Sequence, residues 1–183
     1  MPSTSAPFGM RPVSHPSGTV RPTAHTIGST YGTDLFQNQV VRIDADGTIK
    51  TAAAGETMLG AFQGVEWTDN EGRRRVSNRW TASTVGTDIV CYVASDPATT
   101  FEMQTSATAA LTDNFAEFDI GSGTGNSTTG ISTQTLNMAT GSATAGIQII
   151  GLAPYADNAW GDSFVIVRVR MNEHQMAAAV AGT

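Results

Sequence analysis

A few short stretches of this chain carry residue types that could do chemistry. Gly161-Asp162-Ser163, with His174 downstream, holds the nucleophile and base of a serine esterase. That chemistry needs the serine on a sharp strand-to-helix turn, a histidine within hydrogen-bond reach and oxyanion donors beside it. Here the serine opens an alternating apolar run and the histidine follows the end of that same run. Eight or more extended residues at about 3.3 Å each would hold the two tens of ångströms apart. A turn leading into a strand is the better reading. Ile43 to Thr48, "IDADGT", begins like a calcium loop, but Gly47 stands at the fourth position instead of the sixth. The closing glutamate is missing as well, which leaves a hairpin turn and no metal. Gly121 to Asn126, "GSGTGN", lacks the lysine and the following helix of a phosphate loop.

Cys91 is the single cysteine, so no intrachain disulfide forms. In "DIVCYVA" it shares a strand face with Ile89 and Val93 and reads as a buried structural thiol. His15 and His25 have no cysteine cluster to complete a zinc site and read as surface residues. One charged cluster remains: Arg73, Arg74, Arg75 and Arg79, with Trp80 adjacent. Trp and Arg often anchor protein interfaces, so the cluster is expected to dock a protein. No catalytic residue, cofactor or metal ligand is expected, and the chain is not expected to be an enzyme.

The elements that must position these residues are strands. "NQVVRIDADGTIK" is a hairpin, and "TMLGAFQGVEW" is a strand in which Gly60 and Gly64 suggest a bulge or bend. "RRRVSNRW", "TDIVCYVAS", "TTFEMQT", "GISTQTLNM", "GIQIIGLA" and "FVIVRVRM" continue the series; "ATAALTDNFAEF" is the one place for a helical turn. Many short strands at such spacing predict an all-β, jelly-roll-like sandwich or barrel. In the last strand Val165, Val167, Val169 and Met171 face the core, while the other face passes from Phe164 and Ile166 to Arg168 and Arg170. Five of the seven prolines precede Gly28, so residues 1–28 are expected to form an extended arm without its own core. Residues 29–183 then form one β domain, with a strand between exposed Gly/Ser/Thr loops over 121–146.

Composition narrows the function. The chain has 183 residues, enough for one good core. Only 14% are charged and the net charge is −6, which disfavours contact with DNA or anionic lipid. Neither a membrane-length apolar run nor a signal peptide is evident, so synthesis in a cytoplasm is expected. The basic residues are nearly all arginine, the cation suited to protein contacts.

Several phrases together carry a resemblance. "PFGMRPVSHPSG", "RRRV", "YVASDPATTFEMQ" and "VRVRMNEHQM" resemble the capsid cement, or decoration, proteins of tailed-bacteriophage heads. "STYGTDLFQNQVV", "TAAAGETMLGAFQGVEW" and "IIGLAPYADNAWGDSF" fall in the same order, so nearly the whole chain is covered. The Gly121–Gly146 region matches least, apart from "TGIST". The resemblance implies a non-enzymatic β domain on the outer surface of the virion. There it would bridge neighbouring major capsid proteins and reinforce them against packaged DNA.

On that reading the chain forms a small symmetric oligomer, a ring of three before a twofold pair. The expected contact residues are Phe8, Met10, Arg11 and Val13 on the arm, Arg73, Arg74, Arg75, Arg79 and Trp80 in the middle, and Arg168 and Arg170 near the end. The arm is expected to order on binding a capsid or sister subunit. A β-sandwich module for host glycans is the alternative, with Trp67, Trp80 and Trp160 as candidate platforms.

Overall fold

The computed structural model describes residues 4–177. Its first sheet runs in the order β1 (Arg11–Ser14), β10 (Thr100–Gln104), β14 (Ile166–Met171), β13 (Ile147–Leu152), β11 (Glu117–Ile120) and β12 (Leu136–Asn137). The second runs β2 (Thr23–His25), β9 (Thr87–Ala94), β6 (Gly60–Thr68), β4 (Val40–Ile43) and β5 (Ile49–Thr51). β7 (Arg74–Ser77) pairs with the far end of β6, and β3 (Leu35–Phe36) with β8 (Arg79–Trp80) makes a two-stranded ribbon. Both large sheets keep open edges, so of the two architectures the sequence left open the chain adopts the sandwich.

Two cores lie on opposite faces of the second sheet. Val40, Ala61 and Ala94 join Phe101, Met103, Ile147, Ile149, Val167 and Val169 between the two large sheets. Val41, Phe62, Cys91 and Val93 pack on the other side with Leu35, Ile49 and Trp80. Neighbours such as Val40–Val41 and Ala61–Phe62 divide between the cores because strand side chains alternate. The second sheet is thereby covered on both faces around Val40, Ala61 and Ala94, whereas Tyr92 on β9 stays exposed, and the β3–β8 ribbon makes a third layer. Truncating Phe62, which is fully buried, to alanine would cost about 3–5 kcal/mol.

The local expectations hold where period or turn chemistry sets them. Val41 pairs with Thr51 and Ile43 with Ile49, and Gly47 closes the connecting turn at a φ of 76°. Val165, Val167, Val169 and Met171 are all buried. The β6–β9 register shifts between Phe62 and Gly64, which is the expected bulge. Gly60 serves close approach instead, since a Cβ there would stand 2.2 Å from the Ala94 carbonyl oxygen. The helical turn is one 3-10 turn, Leu111–Asp113. Cys91 is buried, and loss of water pushes its thiol up to about 12.

One segment differs from expectation. The first 28 residues are extended, but as far as they are described they lie on their own domain. β1 adds to the edge of the first sheet against β10, and β2 adds to the second against β9. Met10 is fully buried in one core and Ile27 almost so in the other. The reason is that both sheets end in strands with unpaired backbone, which an extended segment satisfies.

Residues 121–146 hold an extended run between exposed stretches at 126–129 and 141–144, with β12 (Leu136–Asn137) as its strand, as expected. Over 130–137 the chain is a ribbon with Gly130, Ser132, Gln134 and Leu136 buried alternately. The Gln134 side chain accepts from the Val40 N–H at 2.8 Å. A Cβ on Gly125 would overlap the Phe36 ring at 2.2 Å. The missing side chain at Gly125 allows this close packing against Phe36.

Candidate interaction surface

Antiparallel register sets the site. Arg11 on β1 lies opposite Glu102 on β10, and Glu102 lies opposite Arg168 on β14. All three alternate with core residues, so their side chains share the face of the first sheet that points away from the second. In the next row Glu117, Gln148 and Arg170 align across β11, β13 and β14.

Glu102 is the centre, only 3% exposed. Its Oε2 accepts from Arg11 Nη2 at 2.7 Å and from the Tyr155 hydroxyl at 2.7 Å. Arg168 Nε stands 3.7 Å from Oε1. A carboxylate this far from water would be costly unpaired, and two guanidinium groups and a phenol offset that cost. The Glu102 hydrogen bond in turn holds the Tyr155 phenol above its ordinary pKa. The Arg11 guanidinium stacks 4.6 Å over the Phe8 ring. Two residues along the same face of β10, Gln104 bonds the arm like a strand partner: its oxygen accepts from Ala6 N at 2.8 Å and its nitrogen donates to Thr4 O at 2.9 Å.

Between residues 4–8 and the loop at Tyr155–Asn158 runs a cleft of about 520 Å³, lined by Ala6, Phe8, Arg11, Gln104, Tyr155 and Ile166. Its lining mixes aromatic and aliphatic side chains with a guanidinium, amides and the Asp157 carboxylate. Such a surface suits a polypeptide contact.

The expected contact residues fall into three groups. Phe8, Arg11, Arg168 and Arg170, from the two ends of the sequence, come together on this face, and Val13 sits half-buried beside them on β1. Met10 does not join them, because its side chain fills the core. Arg73, Arg74 and Arg75 lie apart on the tongue made by β6 and β7. There Asp69 pairs with Arg73 and Arg75, Glu71 with Arg73, and Glu66 with Arg74, so the cluster carries its own counter-charges. Arg79 and Trp80 lie in the third layer. Trp80 is fully buried, with its indole N–H directed to Tyr31 O at 3.3 Å, and cannot present an anchor. Strand alternation with Arg79 turns the indole inward.

Trp67 packs edge-on against Trp80, with ring centroids 6.0 Å apart, and Trp160 lies half-buried against the first core. None of the three is a flat exposed platform for sugar. His15 and His25, expected at the surface, are half-buried. His15 Nε2 lies 3.2 Å from Asp96, and His25 bonds Thr23 beside Ser95. His174 is buried and accepts from Met176 N through Nδ1, so it is not poised as a base for Ser163. Among the described residues no three His, Cys, Asp or Glu side chains are grouped to hold a metal ion.

Tyr155, Gln104 and Glu102 are members of the site that sequence reasoning missed. The phrase "TTFEMQT" carried the signal: Glu102 and Gln104 alternate with Phe101 and Met103. Comparison with family models, curated proteins and solved structures found no match. The fold and the face therefore define the chain as an all-β sandwich with one polar, aromatic and arginine-bearing sheet face.

Proposed function

We propose that the chain is a capsid cement, or decoration, protein of a tailed-bacteriophage head. It binds the outer surface of the shell, bridges neighbouring major capsid proteins and performs no catalysis. The face around Glu102 is its docking surface. The observation that carries this reading is the convergence of Phe8, Arg11, Arg168 and Arg170 on one sheet face, reached from segments of the chain that resemble such proteins. The low charge content and the arginine-dominated cations support it as well.

In this reading the chain acts as a small ring, of three copies before two, placed over a junction between capsomers. Each copy would bury an ordinary specific interface, about 1,000–2,000 Å². Several modest contacts joined in one ring act through effective concentration, so the clamp dissociates slowly.

Cosedimentation tests it. Purified protein added to heads that lack it should pellet with them at saturable stoichiometry, and Arg170→Glu should weaken the binding while leaving the fold intact. Wild-type protein that stays in the supernatant at micromolar concentration would rule the reading out.

A further inference from the structure

Phe115 is a side chain in a place that neither the backbone nor the core explains. Residues Asp113 to Ala116 form a tight turn, with Ala116 N–H donating to Asp113 O at 3.0 Å. Asn114 has φ −64° and ψ 128°, and Phe115 has φ 68°. Those angles match a type II turn, whose third position requires positive φ and favours glycine. A bulky aromatic residue is an outlier there. Burial does not compensate, since Phe115 is 64% exposed.

The turn is nevertheless held firmly. Ala110 N–H donates to the Asp113 carboxylate at 2.8 Å, and Phe115 N–H donates to Ile149 O at 3.0 Å. Gln148 makes the third tie, with its Nε2 donating to Phe115 O at 3.1 Å while its Oε1 accepts from Arg170 Nε at 2.9 Å. One side chain thus links an exposed phenyl-bearing turn to an exposed guanidinium. Among the described residues that bond from Nε is the only one Arg170 makes, and none of their carboxylates lies within ion-pair distance of it. Arg21 and Arg79 likewise have no ion pair among the described residues, but Arg170 is tied through Gln148 to the strained turn.

We propose that Phe115 and Arg170 form a two-point anchor for a protein partner, the phenyl ring entering an apolar pocket and the guanidinium meeting a carboxylate on its rim. Backbone strain at functional sites persists where the surroundings over-determine it, and the three ties at Phe115 do so. A pre-positioned ring loses little conformational freedom on binding, which is why rigid aromatics dominate interface energetics. The guanidinium, linked to the same turn through Gln148, supplies charge complementarity to an acidic rim. This inference rests on the shell-binding reading above and adds which residues carry the contact and what the partner must offer.

The test is Phe115→Gly, with Phe115→Asn as a second variant that also tolerates the left-handed backbone. Thermal unfolding of both should match wild type or move slightly upward, because the turn is relieved of an unfavourable residue. Binding to heads that lack the protein should weaken by about thirtyfold or more, the scale of a hot-spot residue. Arg170→Ala should weaken binding less and flatten its dependence on salt. If wild type binds heads and both Phe115 variants bind equally well, the anchor is wrong and the shell reading stands. If wild type does not bind heads, both fall together.

Discussion

Arg11 and Glu102, 91 residues apart in sequence, meet at 2.7 Å, and that contact fastens the first described strand to the sandwich. The pair is asymmetric: Arg11 is partly exposed, whereas Glu102 is almost completely buried. Removing the cation therefore leaves the anion with Tyr155 and a distant Arg168. Arg11→Ala should lower stability by about 1–3 kcal/mol. Denaturant unfolding measures it, and amide exchange over residues 4–14 should rise well before the rest of the domain.

Deleting residues 1–28 should do more than remove a contact arm. The deletion takes β1, β2, Met10 and Ile27 from the two sheets and both cores. The truncated chain should be aggregation-prone or largely unfolded by circular dichroism. A cooperative melt near that of the full chain would mean the arm is peripheral.

Charge reversals on β14 should separate. Arg168→Glu places a carboxylate opposite the buried Glu102, adding like-charge repulsion where counter-charge was needed, so the fold itself should weaken. Arg170→Glu meets only the Gln148 amide and should leave thermal stability within about 0.5 kcal/mol of wild type.

Acid should loosen the C-terminal segment. His174 is buried, its Nδ1 accepts from Met176 N–H, and Gln175 beside it bonds Ile43 through both amide atoms. The Leu59 and Ser95 backbones and the Asp96 carboxylate face the ring. Burial outweighs them and lowers its pKa below the usual 6.5. The unfolded chain then binds the extra proton first. Stability should be flat above about pH 6.5 and fall as pH drops below it, well before carboxylates titrate. His25 shifts the same way through burial. His174→Gln should flatten that slope in pH-dependent melts.

Gly60→Ala should destabilise by about 1–3 kcal/mol, because the added methyl meets the backbone of Ala94 and Ser95, which cannot rotate away. A melt unchanged from wild type would show that β6 and β9 can part locally.

How much of this was legible in the sequence depended on range. The alternation of Val165 to Met171, the Asp46–Gly47 hairpin and the Gly64 bulge are local, and each appears where its residues imply. The outward turn of Arg168 and Arg170 follows from the same period. What they meet does not, because Glu102 and Gln148 arrive through strand order, which no local pattern encodes. The burial of Trp80 is hidden for the same reason: it depends on a ribbon, β3 with β8, that covers the second face of a sheet. The prolines gave the arm its extended form but not its place on the sheet edges. Phe115 was missed although "DNFA" held a signal, a turn dipeptide followed by phenylalanine where glycine belongs.

Cryo-electron microscopy of heads carrying this chain tests the central claim most directly. The account expects β-sandwich density on the outside of the shell, with the face bearing Phe8, Arg11, Arg168 and Arg170 turned towards the major capsid protein. A map whose exterior lacks that density, or whose contacts avoid that face altogether, would contradict it.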